Sequence, residues 1–235
     1  MDLFENISEQ TVPIADGAVW LRGFALHNNA QLMADLSLVL SQSPLRNMVT
    51  PGGFTMSVAM TNCGDLGWVT DSKGYQYSAL DPSNGAPWQA MPMSFLQLAN
   101  NAAAEAGYAN FMPDACLINQ YKMGARMGLH QDKDEADFSQ PIVSVSLGSA
   151  ATFLFGGLKR SDKPHKILLN HGDVVVWGGK SRLNYHGVMP LRAAPTLNAT
   201  STLGATSTLG ATSTQANNHA LLGAYRYNLT FRKAG

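Results

Sequence analysis

Seven short segments of β type, separated by glycine-rich or polar turns, most constrain the fold of this 235-residue chain. They span residues 18–24, 115–122, 142–147, 152–155, 166–169, 173–177 and 225–232. Many short strands joined by such turns are typical of all-β barrels and double-sheet jelly rolls. Two stretches have apolar residues at helical spacing, 32–40 before Pro44 and 95–106 before Gly107. The sequence therefore predicts a mainly β fold in which flanking helices cover one face of the sheets.

The formal net charge is zero, with 16 basic and 16 acidic side chains, but the charge is unevenly distributed along the chain. Residues 1–120 carry ten acids and three bases, whereas residues 121–235 carry thirteen bases and six acids. A neutral chain usually argues against a nucleic-acid partner, because such proteins carry a basic surface. The C-terminal half can still supply a local one. Its candidate residues are Lys133, Lys159, Arg160, Lys163 and Lys166.

Composition excludes several classes of protein. A hydrophobic content of 45% without net charge excludes wholesale disorder. Cys63 and Cys116 are the two cysteines, too few for a disulfide framework or a four-thiolate zinc site. The acidic N-terminus lacks the features of a signal peptide, and no segment offers about 20 apolar residues to span a bilayer. We expect a cytoplasmic, monomeric protein without a membrane partner.

A low-complexity segment interrupts the C-terminal region. Residues 199–204 and 205–210 both have the sequence ATSTLG, and residues 211–216 have ATSTQA. Three short hexads of small polar residues cannot close a hydrophobic core of their own. We therefore predict a flexible surface insertion over residues 193–223.

The triplet His130-Gln-Asp132 is a candidate metal site. On an extended stretch, side chains two positions apart point to the same side, with Cα atoms about 7 Å apart. With His186, they would form the two-histidine, one-carboxylate triad of non-haem Fe(II) oxygenases. A surface histidine beside an acid is the alternative interpretation. A second triplet, His171-Gly-Asp173, abuts an apolar strand and is better explained as the turn that enters it.

Three further groups could bind a ligand. Alternation along 226–232 places Arg226, Asn228, Thr230 and Arg232 on one face, which suits a ligand with two carboxylates. Asn119 and Tyr121 emerge from an otherwise apolar segment. Simple exposure to water explains this pair, and the polar face of 226–232, equally well. Trp68, Tyr75 and Tyr77 occur in a polar segment predicted as a loop, where they either stack on bases or pin the loop to the body.

Taken together, these residues resemble the H-x-D…H…R-x-N-x-x-x-R signature of the Fe(II)/2-oxoglutarate dioxygenases. The resemblance rests on the segments HQDKDE at 130–135, YHG at 185–187 and RYNLTFR at 226–232. The resemblance is closest to the AlkB family of DNA-repair enzymes. It extends over nearly the whole chain except residues 193–223, through strings such as TMSVAMTNCG, PDACLIN, PIVSVSLG and HGDVVVWGG.

The resemblance implies a double-stranded β-helix, or jelly roll, with residues 1–90 as N-terminal extension and nucleotide-recognition lid and residues 91–235 as catalytic domain. It also implies a role for each matching residue. The implied iron ligands are His130, Asp132 and His186. The implied 2-oxoglutarate residues are Asn119, Tyr121, Arg226, Asn228 and Arg232, with Arg226 on the distal carboxylate. The implied substrate pocket is Met60, Trp68, Tyr75, Asp134 and Arg160.

The activity implied by the resemblance is oxidative demethylation of 1-methyladenine and 3-methylcytosine in DNA, with RNA as a further candidate. Fe(II) is the cofactor, and 2-oxoglutarate and O₂ are co-substrates, with formaldehyde and succinate among the products. The expected partner is alkylated single-stranded DNA or double-stranded DNA that contains a lesion, since the target base must leave the stack. Two alternatives remain open: a related dioxygenase acting on tRNA or protein methyl groups, and a catalytically silent jelly roll that binds nucleic acid.

The insertion predicts a tolerated deletion. His186 and Arg226 are 40 positions apart, longer than the family pattern, and the repeat accounts for the excess. Because each doubling of a flexible loop costs only about 0.6 kcal/mol of closure entropy, removing residues 199–216 should leave turnover within a few-fold. Formaldehyde release by the shortened and full chains measures this, and a near-complete loss of activity would contradict it.

Overall fold

The computed structural model describes residues 11–71, 74–192 and 225–235, and it confirms the mainly β fold with flanking helices. The two α-helices of the described residues are α1 (Asn29–Gln42) and α2 (Met93–Glu105). The strands before α2 are β1 (Thr11–Ala15), β2 (Ala18–Leu21), β3 (Arg46–Val49), β4 (Thr55–Gly64), β5 (Gly67–Asp71) and β6 (Gly74–Ser78). Those after it are β7 (Ala115–Tyr121), β8 (Met127–His130), β9 (Ile142–Gly148), β10 (Ala151–Phe155), β11 (His165–Leu169), β12 (Val174–Trp177), β13 (His186–Val188) and β14 (Arg226–Arg232).

The strands form two facing sheets and a separate hairpin. The larger sheet has eight strands in the order β1-β2-β12-β9-β14-β7-β4-β3, and the smaller has the order β11-β10-β13-β8. One buried apolar cluster joins their facing sides, with Leu117 and Trp177 from the larger sheet and Phe153 and Val188 from the smaller. The result is the jelly roll expected from the sequence, with a space between the sheets.

The helices pack on the outer face of the larger sheet. A second buried cluster contains Leu32 and Leu36 of α1, Phe95 of α2, and Leu229 and Phe231 of β14. The rings of Phe95 and Phe231 meet edge to face, with centroids 6.0 Å apart. Since side chains alternate along a strand, the apolar residues of β14 face the helices and its polar residues face the interior between the sheets.

The seven predicted strands and both predicted helices are present, with ends that differ by up to three residues. The prediction of a loop around Trp68, Tyr75 and Tyr77 is wrong, because this segment forms the β5–β6 hairpin. Its polar composition misled the prediction, since a two-stranded ribbon on the surface needs no apolar core face. Strands β1, β3, β4, β8 and β13 were also not predicted from the sequence. The last two are short and contain glycine, which strands disfavour.

Strands β1 to β4 are hydrogen-bonded into the larger sheet, so residues before position 90 extend that sheet at both of its edges. The boundary placed at that position stays a prediction. The predicted insertion over 193–223 lies outside the described residues. Within the described ranges, no helix is long and apolar enough to cross a bilayer.

Helix α1 offers a matched test of the outer core. Leu36 is fully buried, whereas Leu38 on the same helix is 49% exposed. Replacing Leu36 by alanine should lower the free energy of unfolding by about 2–5 kcal/mol, because it leaves a cavity against the sheet. The same change at Leu38 should cost less than about 0.5 kcal/mol. Denaturant unfolding of both variants measures the difference, and equal losses would contradict the packing of α1.

Candidate active site

Three side chains with metal-binding atoms meet between the sheets. His130 ends β8, His186 begins β13, and the two residues are direct partners across this antiparallel pair. Asp132 follows β8 by two positions, and its Oδ1 lies 3.5 Å from His130 Nε2 and 3.7 Å from His186 Nε2. One ligand atom from each residue lies within 4.8 Å of the others, so the group could hold a metal ion.

Backbone carbonyls orient both imidazoles. His130 Nδ1 lies 2.9 Å from the carbonyl oxygen of Gly128, and His186 Nδ1 lies 3.1 Å from that of Asn184. A carbonyl can only accept a hydrogen bond, so Nδ1 carries a proton, and in the neutral imidazole Nε2 is then the atom with the free lone pair. Such outer hydrogen bonds typically fix the tautomer of metal-binding histidines.

Asp132 is buried and ionised beside Arg232 of β14. Arg232 Nη2 donates to Asp132 Oδ2 at 2.6 Å and Nε donates to the same oxygen at 2.9 Å, which leaves Oδ1 facing the imidazoles. Burial alone would raise the pKa of Asp132, but Arg232, then His186 and His130, hold it well below its ordinary value. Burial, followed by the proximity of His130, lowers the pKa of His186 to about 4. Near neutral pH the site thus offers a carboxylate and a neutral buried imidazole.

A second buried carboxylate extends this ion pair. Glu135 is 6% exposed and lies between two arginines, 3.0 Å from Arg182 Nη2 and 3.3 Å from Arg232 Nε. Arg182 also donates to the backbone carbonyl of Asp132 at 2.8 Å and to that of Gln140 at 2.9 Å. Sequence reasoning missed both residues. They are 47 positions apart, and no local pattern distinguishes a buried arginine from a surface one.

A cavity of about 50 Å³ lies beside the three side chains. Its lining includes all five residues predicted to bind a dicarboxylate: Asn119, Tyr121, Arg226, Asn228 and Arg232. Four of them come from paired positions of β7 and β14, Asn119 opposite Asn228 and Tyr121 opposite Arg226. The pairing places their polar groups on the inner face of the larger sheet.

The polar groups of this cavity are incompletely satisfied. Arg226 is 1% exposed, and its Nη2 donates to Ser146 Oγ at 3.0 Å, but its Nε and Nη1 have no partner in the described residues. Asn119 Oδ1 is likewise unpartnered. Buried polar atoms are normally hydrogen-bonded, so free guanidinium donors that face a cavity fit a carboxylate ligand. Sequence reasoning missed Ser146 and also Ser144, whose hydroxyl accepts a hydrogen bond from Asn228 Nδ2 at 2.8 Å.

A larger cavity, of about 300 Å³, opens on the other side of the same group. Its lining includes all five predicted substrate-pocket residues: Met60, Trp68, Tyr75, Asp134 and Arg160. Leu117, His130 and Arg232 line both cavities, so the cavities share a wall. A flat ligand in the larger one would thus lie against the candidate metal ligands.

The hairpin supplies the aromatic part of this larger cavity. The rings of Trp68 and Tyr75 stack with centroids 5.2 Å apart and planes inclined by 14°. Trp68 Nε1 donates to Asp134 Oδ2 at 2.9 Å, which ties the stacked pair to the loop after β8. An aromatic face beside a carboxylate suits a planar ligand with positive charge.

The second histidine triplet forms a turn. Gly172 has φ +86°, and a Cβ there would lie 2.5 Å from a side-chain atom of Leu26. Asp173 accepts backbone hydrogen bonds from Gly23 and Asn170, each at 2.8 Å, so both carboxylate oxygens are used. The interpretation of this triplet as a turn is confirmed.

Comparisons with known proteins agree with this geometry. Residues 17–232 match the sequence profile of the 2OG-Fe(II) oxygenase superfamily. The chain is 54% identical over 235 residues to the alpha-ketoglutarate-dependent dioxygenase AlkB of Escherichia coli K12, covering 100% of this chain and 98% of that protein. It is 53% identical over 234 residues to the protein of the same description from Salmonella typhimurium LT2, with the same coverage. The solved structure of OsALKBH1 superimposes with a TM-score of 0.76 at 28% identity, covering 95% of this chain and 100% of that one.

The low pKa of His186 predicts that the metal-free protein loses stability in acid. Its folded pKa of about 4 lies below the ordinary value of 6.5, so between these values the unfolded chain binds the proton and the folded chain does not. The free energy of unfolding should therefore fall as pH is lowered through this window, by about 3 kcal/mol. Denaturant unfolding at several pH values measures the slope. His186→Gln should reduce it and His165→Gln, at an exposed position, should not; an unchanged slope in the first variant would contradict this prediction.

Proposed function

The chain belongs to the AlkB family of the 2OG-Fe(II) oxygenase superfamily, and from this premise we propose that it oxidatively demethylates alkylated bases in nucleic acid. The observation that carries the proposal is the His–Asp–His group at the wall between two cavities. One cavity has free guanidinium donors for a dicarboxylate, and the other has stacked aromatic rings and a carboxylate for a cationic base.

His130, Asp132 and His186 are the proposed ligands of Fe(II). The two Nε2 atoms and the ionised Oδ1 atom would provide three donors and leave the remaining coordination positions to the co-substrates. Fe(II), with 2-oxoglutarate and O₂, supplies the oxidising power that hydroxylates the methyl carbon while 2-oxoglutarate is converted to succinate and CO₂. Arg232 keeps the Asp132 carboxylate ionised and occupies its second oxygen, so Oδ1 is the oxygen that would bind the metal.

The small cavity is the proposed site of 2-oxoglutarate. Arg226 would pair its unpartnered Nε and Nη1 with the distal carboxylate, while Tyr121 and Ser146 hold the guanidinium in place. Burial lowers the pKa of Arg226, since the cation has no acidic partner among the described residues. A bound carboxylate would supply that partner. Asn119, Asn228 and Arg232 would provide the remaining polar contacts around the ligand.

The larger cavity is the proposed site of the methylated base. The stacked Trp68–Tyr75 pair would present one outer ring face to the base, and Asp134 would attract the positive charge of 1-methyladenine or 3-methylcytosine. Met60 and Arg160 would complete the pocket. Once the methyl group is hydroxylated, the carbinolamine loses formaldehyde and leaves the repaired base.

Reaching this cavity requires the base to leave the duplex, so the proposed partner is single-stranded DNA or double-stranded DNA that contains a lesion, with RNA as a further candidate. Lys133, Lys159, Arg160, Lys163 and Lys166 are all exposed and could contact a few phosphates. We also propose that the protein acts as a monomer in the cytoplasm, as expected from the sequence. The stacked pair beside the metal group favours a planar base over a protein side chain as the methylated group.

The proposal predicts formaldehyde release from an oligonucleotide containing 3-methylcytosine, given Fe(II), 2-oxoglutarate and O₂. Asp132→Ala should abolish turnover, because it removes a proposed metal ligand, while oligonucleotide binding measured by fluorescence anisotropy changes less than about three-fold.

Asp137→Ala is the matched control, since this carboxylate lies on the same loop and is exposed. It should turn over like the unmodified chain. Absence of formaldehyde from unmodified protein with bound iron would reject the proposed function, and full activity of Asp132→Ala would reject the proposed metal ligands.

A further inference from the structure

The β5–β6 hairpin is tied to the loop after β8 by two neighbouring hydrogen bonds. Trp68 Nε1 donates to the exposed Asp134, whereas the hydroxyl of Tyr77 donates to Glu135 Oε1 at 2.7 Å. Trp68 and Tyr77 are direct partners across the hairpin, so both side chains leave the same face of it. The first bond belongs to the base pocket, but the second leads elsewhere.

The second bond ends in the buried ion pairs of the candidate metal site. Glu135 Oε1, which accepts from Tyr77, also lies 3.3 Å from Arg232 Nε, and Glu135 Oε2 pairs with Arg182. Arg232 in turn donates to Asp132 Oδ2 at 2.6 Å. Tyr77, Glu135, Arg232 and Asp132 therefore form an unbroken series of polar contacts from the hairpin to a proposed metal ligand.

Each link of this series is sensitive to the positions of its neighbours. Tyr77 and Arg232 share one oxygen of Glu135, so moving the hydroxyl changes how that oxygen is held against Arg232. The loop after β8 cannot easily shift to restore a lost contact, because Arg182 also donates to the carbonyls of Asp132 and Gln140 in that loop. Because Glu135, Arg182 and Arg232 are buried, these electrostatic contacts are stronger than they would be at the surface.

We propose that Tyr77 and Glu135 are positioning residues that couple the β5–β6 hairpin energetically to the Asp132 carboxylate. The inference rests on the proposed role of Asp132 as a metal ligand. Neither residue belongs to the proposed metal, 2-oxoglutarate or base-pocket sets. When metal and co-substrate fix Asp132 and Arg232, Glu135 holds one position and the hairpin docks on it through Tyr77. Coupling of this kind is reciprocal, so a base that orders the hairpin also favours the metal-binding geometry.

Hydrogen–deuterium exchange of the backbone amides in β5 and β6 tests the coupling. The comparison is between the metal-free protein and the protein with Mn(II) and 2-oxoglutarate, which needs neither turnover nor an oligonucleotide. In the unmodified chain, loading should slow exchange of the hairpin by about ten-fold. In Tyr77→Phe, which removes only the hydroxyl, the ratio between the two states should fall below about two-fold.

Thr70→Val is the matched control. Thr70 lies on the same hairpin and its hydroxyl donates to the carbonyl of Val49 at 3.1 Å, so the substitution removes a hydrogen bond to the body without touching Glu135. Its hairpin should exchange faster in both states while the ratio stays near ten-fold. Exchange of α1 peptides checks that each variant is folded.

Glu135→Gln provides a second variant, because it keeps an oxygen for Tyr77 but removes one of the two negative charges beside Arg232, leaving that of Asp132. In this variant, too, the ratio of hairpin exchange between the metal-free and loaded states should fall below about two-fold. The proposal is overturned if loading leaves hairpin exchange in the unmodified chain unchanged, if Tyr77→Phe or Glu135→Gln keeps the full ratio, or if Thr70→Val loses it equally. If loading slows hairpin exchange but the unmodified chain releases no formaldehyde from the methylated oligonucleotide, the proposed function is rejected and the coupling is supported.

Discussion

The ion pair between Asp132 and Arg232 is the interaction on which the site depends. It joins a loop after β8 to the last strand of the larger sheet, across 100 positions of sequence, at 2.6 Å. A buried carboxylate without a partner would take up a proton rather than remain charged. Arg232 prevents this and at the same time leaves Oδ1 free toward the imidazoles. The direction of the carboxylate, and the largest single influence that keeps it charged, thus come from a residue outside the candidate metal-binding group itself.

The alternation of β14 separates stability from chemistry. Tyr227, Leu229 and Phe231 join the apolar cluster under the helices, where close packing contributes to folding. The intervening positions carry polar groups into the space between the sheets, where Arg226 keeps two donors without a described partner. Unsatisfied buried donors cost free energy, so the outer core must offset this cost. A single strand therefore contributes to both the packed face and the binding face.

Much of the fold, and which residues gather at the candidate site, could be predicted from the sequence. Strand alternation assigned the two faces of β14 correctly, and the ordered strings of the family identified thirteen residues that the structure places around two adjoining cavities. The residues that could not be predicted act through long-range pairing. Nothing near Arg182 in the sequence indicates that it reaches Glu135, and nothing near Ser146 indicates that it supports Arg226. The hairpin was missed for a different reason, because its strands pair with each other and need no apolar side.

The position of β14 in the larger sheet determines how late in synthesis that sheet can form. This strand is the last of the described chain, yet it lies between β9 and β7 and pairs with both along most of its length. Until residues 226–232 leave the ribosome, β7 and β9 lack their shared neighbour and expose unpaired backbone groups. Such edges can pair with other chains. The larger sheet can therefore close only after residues 226–232 have been made. At the same stage the candidate metal site gains Arg232, the residue that keeps the Asp132 carboxylate ionised.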